Sequence, residues 1–464
     1  MIKKCRNDRY KEFLKQKLVK DNPSGFEISE DKLNRYLFDW QRVIVRWALY
    51  RGRAALFEDC GLGKTIQQLE WANQVVRKTN ESVLILAPLA VSEQTQREGE
   101  RFGIKVNICE SQNDLERGIN ITNYEKLHKF DVGNLVGIVL DESSIIKNFA
   151  GKRRNQIIEA FYRTPYKLAC TATPSPNDYM ELGNHSEFLN IMTRTEMLSM
   201  FFVNDSGDTG KWRLKGHVKD NVFWEWLASW AVMLSNPFDL GYDDGRYRLP
   251  ELKYFEHFVE CTSRTSGLFV QPVSGLNERR KVRKETIKQR CEKAAEVINS
   301  TKDRWIIWCG LNDEGDYLEK IIEDSVQVAG RHSDEYKSEM MNAFAIGNIR
   351  RLITKPKIAG FGMNWQICHK AAFVGLSDSW EEFYQATRRI WRYGQKKPVE
   401  VHIFLEEREG SVLENIRRKD KQAKGMMENM CEYMRKFVKR ELEKAERIET
   451  DYCPVVDMEV PEWL

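Results

Sequence analysis

Short apolar runs alternate with longer amphipathic stretches through the first part of the chain, and this alternation restricts the fold more than any other feature. Ala54–Phe57, Val83–Ala87, Asn120–Thr122, Gly137–Leu140 and Tyr166–Cys170 read as buried strands, with helical patterns between several of them. Such alternation predicts a parallel sheet covered on both faces, because parallel neighbours need crossovers and the crossover helices lie on the sheet. From about Glu181 to Pro250 the texture changes to one rich in Trp, Phe and Met and poor in strand signals. Alternation then resumes with Arg304–Cys309, Val326–Ala329, Arg351–Thr354, Ala371–Leu376 and Val399–Phe404. The expected class is α/β: two parallel-sheet lobes, a mostly helical insert between them and a C-terminal helical tail. At 464 residues the chain is too long for one compact core. The expected boundaries are a basic N-terminal extension over 1–35, a first lobe over 36–183, the insert over 184–250, a second lobe over 251–408 and the tail over 409–464.

Composition narrows the function classes. The formal net charge is only +4, so a phosphate-binding surface must be local. Basic clusters occur at Lys3, Lys4 and Arg6, at Lys152, Arg153 and Arg154, from Arg279 to Lys284, and at Arg417, Arg418 and Lys419. Each also fits a solvated helix face. No apolar run approaches a membrane span, and Met1 to Lys20 lacks the apolar core of a signal peptide. Ten cysteines without a Cys-x-x-Cys pair argue against a zinc site and for a reducing cytoplasm. Between Ser411 and Glu449 a proline-free, densely charged stretch reads as a long helix. Its stripe of Met427, Met430, Met434, Phe437 and Leu442 suits a brace packed on the second lobe, or else a partner-binding helix. In the insert, Phe223, Trp226, Leu227, Trp230 and Leu234 fall on one helical face. That face fits a core helix, or else a stacking surface for unpaired bases.

The chemistry concentrates in three places. Glu58-Asp59-Cys60-Gly61-Leu62-Gly63-Lys64-Thr65 stands between a strand and a helical run. Gly61, Leu62 and Gly63 bring backbone N–H groups to phosphate oxygens at a helix N-terminus. Lys64 suits the β- and γ-phosphates of a nucleotide, and the Thr65 hydroxyl suits Mg²⁺. Glu58 replaces the glycine of the general pattern. Asp141-Glu142 ends the apolar strand Gly137–Leu140, at the edge that faces the crevice in open α/β sheets. Asp141 is the natural metal carboxylate, and Glu142 the group to orient and polarise an attacking water. Thr171 to Pro174 places two hydroxyls after a third strand, where they suit a sensor of the γ-phosphate or a plain turn. In the second lobe Gln385, Arg389 and Arg392 recur at i, i+4 and i+7. On one helix face they would converge on a nucleotide held between the lobes, completing the site when the lobes close.

The order of these elements resembles a superfamily 2 helicase-type ATPase, most like the Snf2 group of DNA translocases, from about Leu37 to Leu405. Leu37 to Gln41 is similar to the adenine-reading Q motif, with Gln41 as base contact. Glu58 to Thr65 resembles the Snf2 form of motif I, in which acidic residues precede the glycines. Leu84 to Leu89 resembles motif Ia, and Ile121 to Glu125 resembles motif Ib; both imply nucleic-acid backbone contacts. Asp141 to Ser144, continued by Lys147-Asn148, resembles motif II, and Thr171 to Pro174 resembles motif III. Trp305 to Cys309, Gly360 to Trp365 and Gln385 to Gln395 resemble motifs IV, V and VI. The resemblance implies RecA-like lobes, with ATP and Mg²⁺ in the cleft and Arg389 and Arg392 at the γ-phosphate. There are departures. Ser143-Ser144 stands where the group has Ala-His, which unsettles the usual coupling of motif II to motif III. Ala172 replaces a glycine of motif III, and the second-lobe insertion is short. A compact prokaryotic or viral motor, working in the cytoplasm of a bacterial cell or of an infected bacterial host, is expected.

The partner implied is DNA, duplex in preference to single strands, with RNA as a further possibility. No motif specifies a nuclease or replication partner. A strand-separating helicase is the nearest competing reading. A P-loop kinase shares the glycine loop but has no use for a Gln/Arg/Arg set so far downstream. A nucleotide-binding scaffold without motor activity has no need of Lys64, Thr65, Asp141, Glu142 and Arg392 together.

Overall fold

The computed structural model describes residues 23–88, 91–204, 212–216, 222–242, 247–259, 283–359 and 363–446. The N-terminal basic cluster, most of Arg279–Lys284 and the glycines of Gly360–Gly362 lie outside the described residues. The first lobe holds strands β1 (Arg53–Glu58), β2 (Val83–Ala87), β3 (Val106–Ile108), β4 (Ile119–Asn123), β5 (Gly137–Asp141) and β6 (Tyr166–Thr171). A short antiparallel pair, β7 (Phe202–Asn204) and β8 (Trp212–Leu214), follows, then β9 (Ala231–Leu234). The second lobe holds β10 (Leu252–Val259), β11 (Trp305–Cys309), β12 (Ser325–Val328), β13 (Arg351–Thr354), β14 (Lys370–Val374) and β15 (Val399–Glu406).

Helices fill the crossovers. In the first lobe these are α1 (Asp39–Arg51), α2 (Lys64–Thr79), α3 (Ser92–Phe102), α4 (Lys152–Ala160), α5 (Leu182–Phe188), α6 (Arg194–Phe201) and α7 (Val222–Ala228). The second lobe carries α8 (Ile287–Asn299), α9 (Asn312–Ile321), α10 (Asp334–Ala345), α11 (Pro356–Ala359) and α12 (Trp380–Thr387), and the tail forms α13 (Gly410–Glu446).

Both large sheets are entirely parallel, in the orders β3-β4-β2-β5-β6-β1-β9 and β10-β15-β14-β11-β13-β12. The central strands are buried along their whole length, as expected of sheets covered on both faces. The fold is thus two RecA-like α/β lobes.

The segment over 184–250 departs from the expected insert. It is helical in α6 and α7, but the pattern read as one helix from Phe223 to Leu234 breaks after Ala228. Ala231–Leu234 becomes β9 and pairs with β1, completing the first sheet. Ser229 and Trp230 make the turn, with Ser229 Oγ donating to the Trp226 carbonyl at 2.7 Å. Phe223, Trp226 and Trp230 are buried and meet one another and Phe201 at tilted or edge-on angles, so they are core. Among the described residues that face offers no base-stacking surface.

The tail also differs from its expectation. Val412, Leu413 and Ile416 sit in the second lobe's core, but Met430, Met434, Phe437 and Leu442 belong to the first lobe's. Trp224 stacks on Tyr433 with ring centres 5.3 Å apart. The brace therefore joins the two lobes instead of packing on the second alone.

Candidate active site between the lobes

Three adjacent strands, β5, β6 and β1, end on the same rim of the first sheet and deliver the acidic pair, the threonines and the glycine loop side by side. Gly63 caps α2 in the left-handed region at φ 77°. A Cβ there would lie 2.6 Å from Gln41 Nε2, so only glycine fits. The α2 helix is buried nearly all round, with Ile66, Leu69, Trp71, Ala72 and Val75 holding it in the first lobe's core. Lys64 Nζ donates to the carbonyls of Glu58 at 2.7 Å and Asp59 at 3.1 Å, which ties its ammonium across the mouth of the loop. Gln41 is buried and engaged with the same loop. Its Nε2 donates to the Leu62 carbonyl at 2.9 Å, and its Oε1 accepts from Phe38 N at 3.0 Å.

Asp141 and Glu142 are both buried. Burial first, and then the neighbouring Glu142 carboxylate, push the Asp141 pKa up to about 7, against the pull of Lys64 and Gln68. Two adjacent carboxylates facing a lysine and a threonine-bearing helix start fit a divalent cation shared with phosphate oxygens, since Mg²⁺ takes one or two carboxylates plus substrate and water. Thr65 and Asp141 are the residues that would hold it. The Thr65 hydroxyl neighbours Glu98, whose pKa burial raises.

Thr171 and Thr173 stand between the acidic pair and the second lobe. Thr171 Oγ1 lies 3.5 Å from Glu142 Oε2 and accepts from Thr173 N at 3.1 Å. Thr173 Oγ1 donates to Glu381 Oε1 at 3.1 Å and lies 3.4 Å from Gln385 Nε2, so the chain of contacts crosses to the second lobe. Ser143 turns the other way and meets His185 Nε2 at 3.0 Å. Lys147, in the continuation of motif II, pairs with Glu381 across the cleft.

The second-lobe arginines are placed differently from the expected single helix face. α12 ends at Thr387, and Arg389 and Arg392 follow in the turns beyond it. They still converge: both donate to the Met363 carbonyl at 3.2 Å, and Arg389 also bonds the Gln385 carbonyl at 3.0 Å and its side chain at 2.9 Å. Burial, then the Arg389 cation, pull the Arg392 pKa down to about 10. The backbone beside Arg392 abuts the phosphate loop. A Cβ on Gly61, itself at φ 92°, would lie 3.0 Å from Tyr393 N.

Sequence reasoning missed the group that joins the lobes most directly. Arg388 Nη2 lies 2.7 Å from Asp59 Oδ2 and 2.9 Å from the Cys60 carbonyl, and Tyr384 donates its hydroxyl to Asp59 Oδ1 at 2.6 Å. Burial opposes the Arg388 charge, but Asp59 and Tyr384 outweigh it and raise its pKa. The acidic residue preceding the glycines was the available signal: a carboxylate on a phosphate loop needs a cation.

Residues 40–202 match the family model of the SNF2-related domain. The first lobe of the chain is thus an SNF2-related domain, the ATPase half of a helicase-type core. The two-lobed fold of this chain is similar to that of S. cerevisiae Dbp5 bound to RNA and ADP BeF3. That likeness has a TM-score of 0.54 and 10% sequence identity, and it covers 85% of this chain and 93% of that one. The Sulfolobus solfataricus SWI2/SNF2 ATPase core in complex with dsDNA aligns over 89% of this chain and 99% of its own, at 19% identity and a TM-score of 0.41. A comparison with curated proteins returns no match.

Proposed function

We propose that the chain couples ATP hydrolysis to translocation along DNA, with duplex as its preferred track. The observation that carries this reading is the stitching of the phosphate loop to the second lobe. Asp59 to Arg388 and Tyr384, and Thr173 to Glu381 and Gln385, make lobe spacing depend on what the loop holds. In this reading Gly61, Leu62 and Gly63 offer N–H groups to the phosphates and Gln41 addresses the adenine. Lys64 balances charge on the β- and γ-phosphates. Mg²⁺ between Thr65 and Asp141 would polarise the phosphoryl oxygens. Glu142 orients water and takes its proton as the water oxygen attacks the γ-phosphorus and ADP departs. Arg389 and Arg392, sharing the Met363 carbonyl, stabilise the charge on the transferring group, with Gln385 holding Arg389 in place. Loss of the γ-phosphate then removes the reason for closure.

DNA is favoured over RNA because the SNF2-related match falls on the lobe that carries the acidic phosphate loop. RNA is the alternative track, given that the similar fold of Dbp5 is bound to RNA. ATP turnover should be measured with duplex DNA, single-stranded DNA, RNA and no nucleic acid, beside triplex-displacement and strand-displacement assays. Duplex is expected to stimulate at least as well as single strands, with triplex displaced and little strand separation. Lys64→Ala is expected to abolish turnover on every substrate. Efficient unwinding of a tailed duplex, with turnover driven by single strands alone, overturns the translocase reading in favour of a helicase.

A further inference from the structure

A second concave site lies in the second lobe, on the rim of the sheet opposite the nucleotide cleft. All the strands of that sheet are parallel, so they begin on one rim and end on the other. Met363 and Gln385 follow the C-terminal ends of β13 and β14. The residues just ahead of four adjacent strands line a cavity of about 210 Å³ on the far rim. Lys302, Asp303 and Arg304 lead into β11, Arg350 into β13, His369 into β14 and Lys397 into β15.

The charges of this cavity do not balance. Four lining residues are cations, and Asp303 is the one lining carboxylate. Asp303 is already committed: its Oδ2 lies 3.0 Å from Lys370 Nζ, which Glu400 shares at 3.1 Å. Arg350 reaches Asp324 at 3.2 Å on the open surface, where such pairs contribute little. Among the described residues no carboxylate pairs with Lys302 or Lys397. Arg304 donates one N–H to the Gly347 carbonyl at 3.1 Å, but its Nε–H is buried with no acceptor. A buried donor of this kind is costly unless something accepts from it. His369 is half-buried beside them. Burial, then Lys397, hold its pKa below the ordinary histidine range, so near neutral pH the ring is uncharged and still has an N–H to donate. Lysines gathered in a concavity, an unanswered guanidinium N–H and a neutral imidazole are the donor set for a tetrahedral oxyanion.

We propose that this cavity binds a phosphate group, with Lys302 and Lys397 as point charges and Arg304 and His369 as hydrogen-bond donors. The group is either a phosphodiester of a nucleic-acid strand passing the far side of the second lobe or a free phosphate anion. The site does not rest on the translocase reading, because it stands apart from the ATP cleft and its binding is measured without turnover.

The test uses the full chain saturated with Mg-ADP, so that the cleft is filled, and the double variant Lys302→Ala/Lys397→Ala. Both lysines are exposed, so the variant is expected to keep the wild-type melting temperature and its unstimulated ATP turnover. Inorganic phosphate is titrated while the His369 ring is followed by NMR of histidine-labelled protein. In parallel, labelled duplex and single-stranded oligonucleotides are bound across a range of salt concentrations. In the wild type, phosphate is expected to raise the His369 pKa saturably, and the double variant to lose at least tenfold in phosphate affinity. If the occupant is a nucleic-acid phosphate, the double variant also lowers the slope of log K against log salt by about 2, near 0.9 for each lost contact. An unchanged slope with the phosphate response lost in the variant assigns the site to a free anion. A wild-type His369 that ignores phosphate, together with an unchanged slope in the variant, overturns the proposal.

Discussion

At Glu142 the backbone takes a left-handed turn, φ 55°, without a glycine to ease it. Such a conformation costs a side-chain-bearing residue roughly 1–2 kcal/mol. It is retained where β5 gives way to a tight helical turn, with Ile145 N donating to the Glu142 carbonyl at 3.2 Å and Thr171 beside the carboxylate. Glu142→Gln keeps the shape of the group but cannot accept the proton of the attacking water. It is expected to bind Mg-ATP normally and to turn over on the order of 100-fold more slowly or worse. Single-turnover hydrolysis beside nucleotide binding separates the two, and a parallel fall in both would mark Glu142 as structural.

His185 is fully buried against Ser143 and the edge of the Phe57 ring. Burial pulls its pKa from 6.5 down to about 4. The unfolded chain therefore takes up the proton first as pH falls. Stability that is complete above pH 6.5 is lost on the way down to about 4, by about 3 kcal/mol in all. Urea midpoints between pH 7 and 4 are expected to fall steeply in the wild type and more gently in His185→Gln. Equal slopes would mean that His185 does not enter the fold neutral.

At the scale of elements, α12 and the turns after it carry the second lobe's share of the site. Arg392→Ala is expected to leave nucleotide binding intact and to lower nucleic-acid-stimulated hydrolysis by about 10³-fold, as loss of an arginine finger does elsewhere. Normal stimulated turnover would shift the role to Arg389. The arginines were legible because a Gln/Arg/Arg spacing shows in the chain, but the end of the helix at Thr387 was not. Periodicity reads spacing, and the turn that follows α12 is fixed by the bonds from Arg389 and Arg392 to Met363. Most strands were legible for the reason β2 and β13 were, as apolar runs buried on both faces. Strand β10 escaped because its aromatic residues Tyr254, Phe255 and Phe258 stand exposed among charged ones on an edge. Strand β9 escaped because Phe223 to Leu234 keeps helical spacing straight through the break at Ser229. Arg388 escaped because its partner Asp59 is remote in sequence and only the closed fold brings them together.

On the scale of the whole molecule, the first lobe has its own hydrophobic core and the second lobe has one on each face of its sheet, and α13 contributes side chains to the first lobe's core and to one of the second lobe's. Met434 is buried at the first-lobe seat of that helix. Met434→Ala removes its packing at a cost of about 2–5 kcal/mol. Because the loss falls on the joint, calorimetry is expected to show one unfolding transition in the wild type and two in the variant. A variant that still melts in one step, merely at a lower temperature, would show that the cleft contacts alone join the lobes.

The α13 helix has 37 residues and extends about 55 Å at the usual rise. Anchored at both ends, it stands as a stay rod between the two lobes, as between two plates. The plates cannot draw apart without unseating a buried methionine at one end or the Val412–Ile416 turn at the other. Under the translocation proposed above, the stroke such a linkage permits is a torsion about the rod, which a helical track would convert into advance as a thread does for a nut.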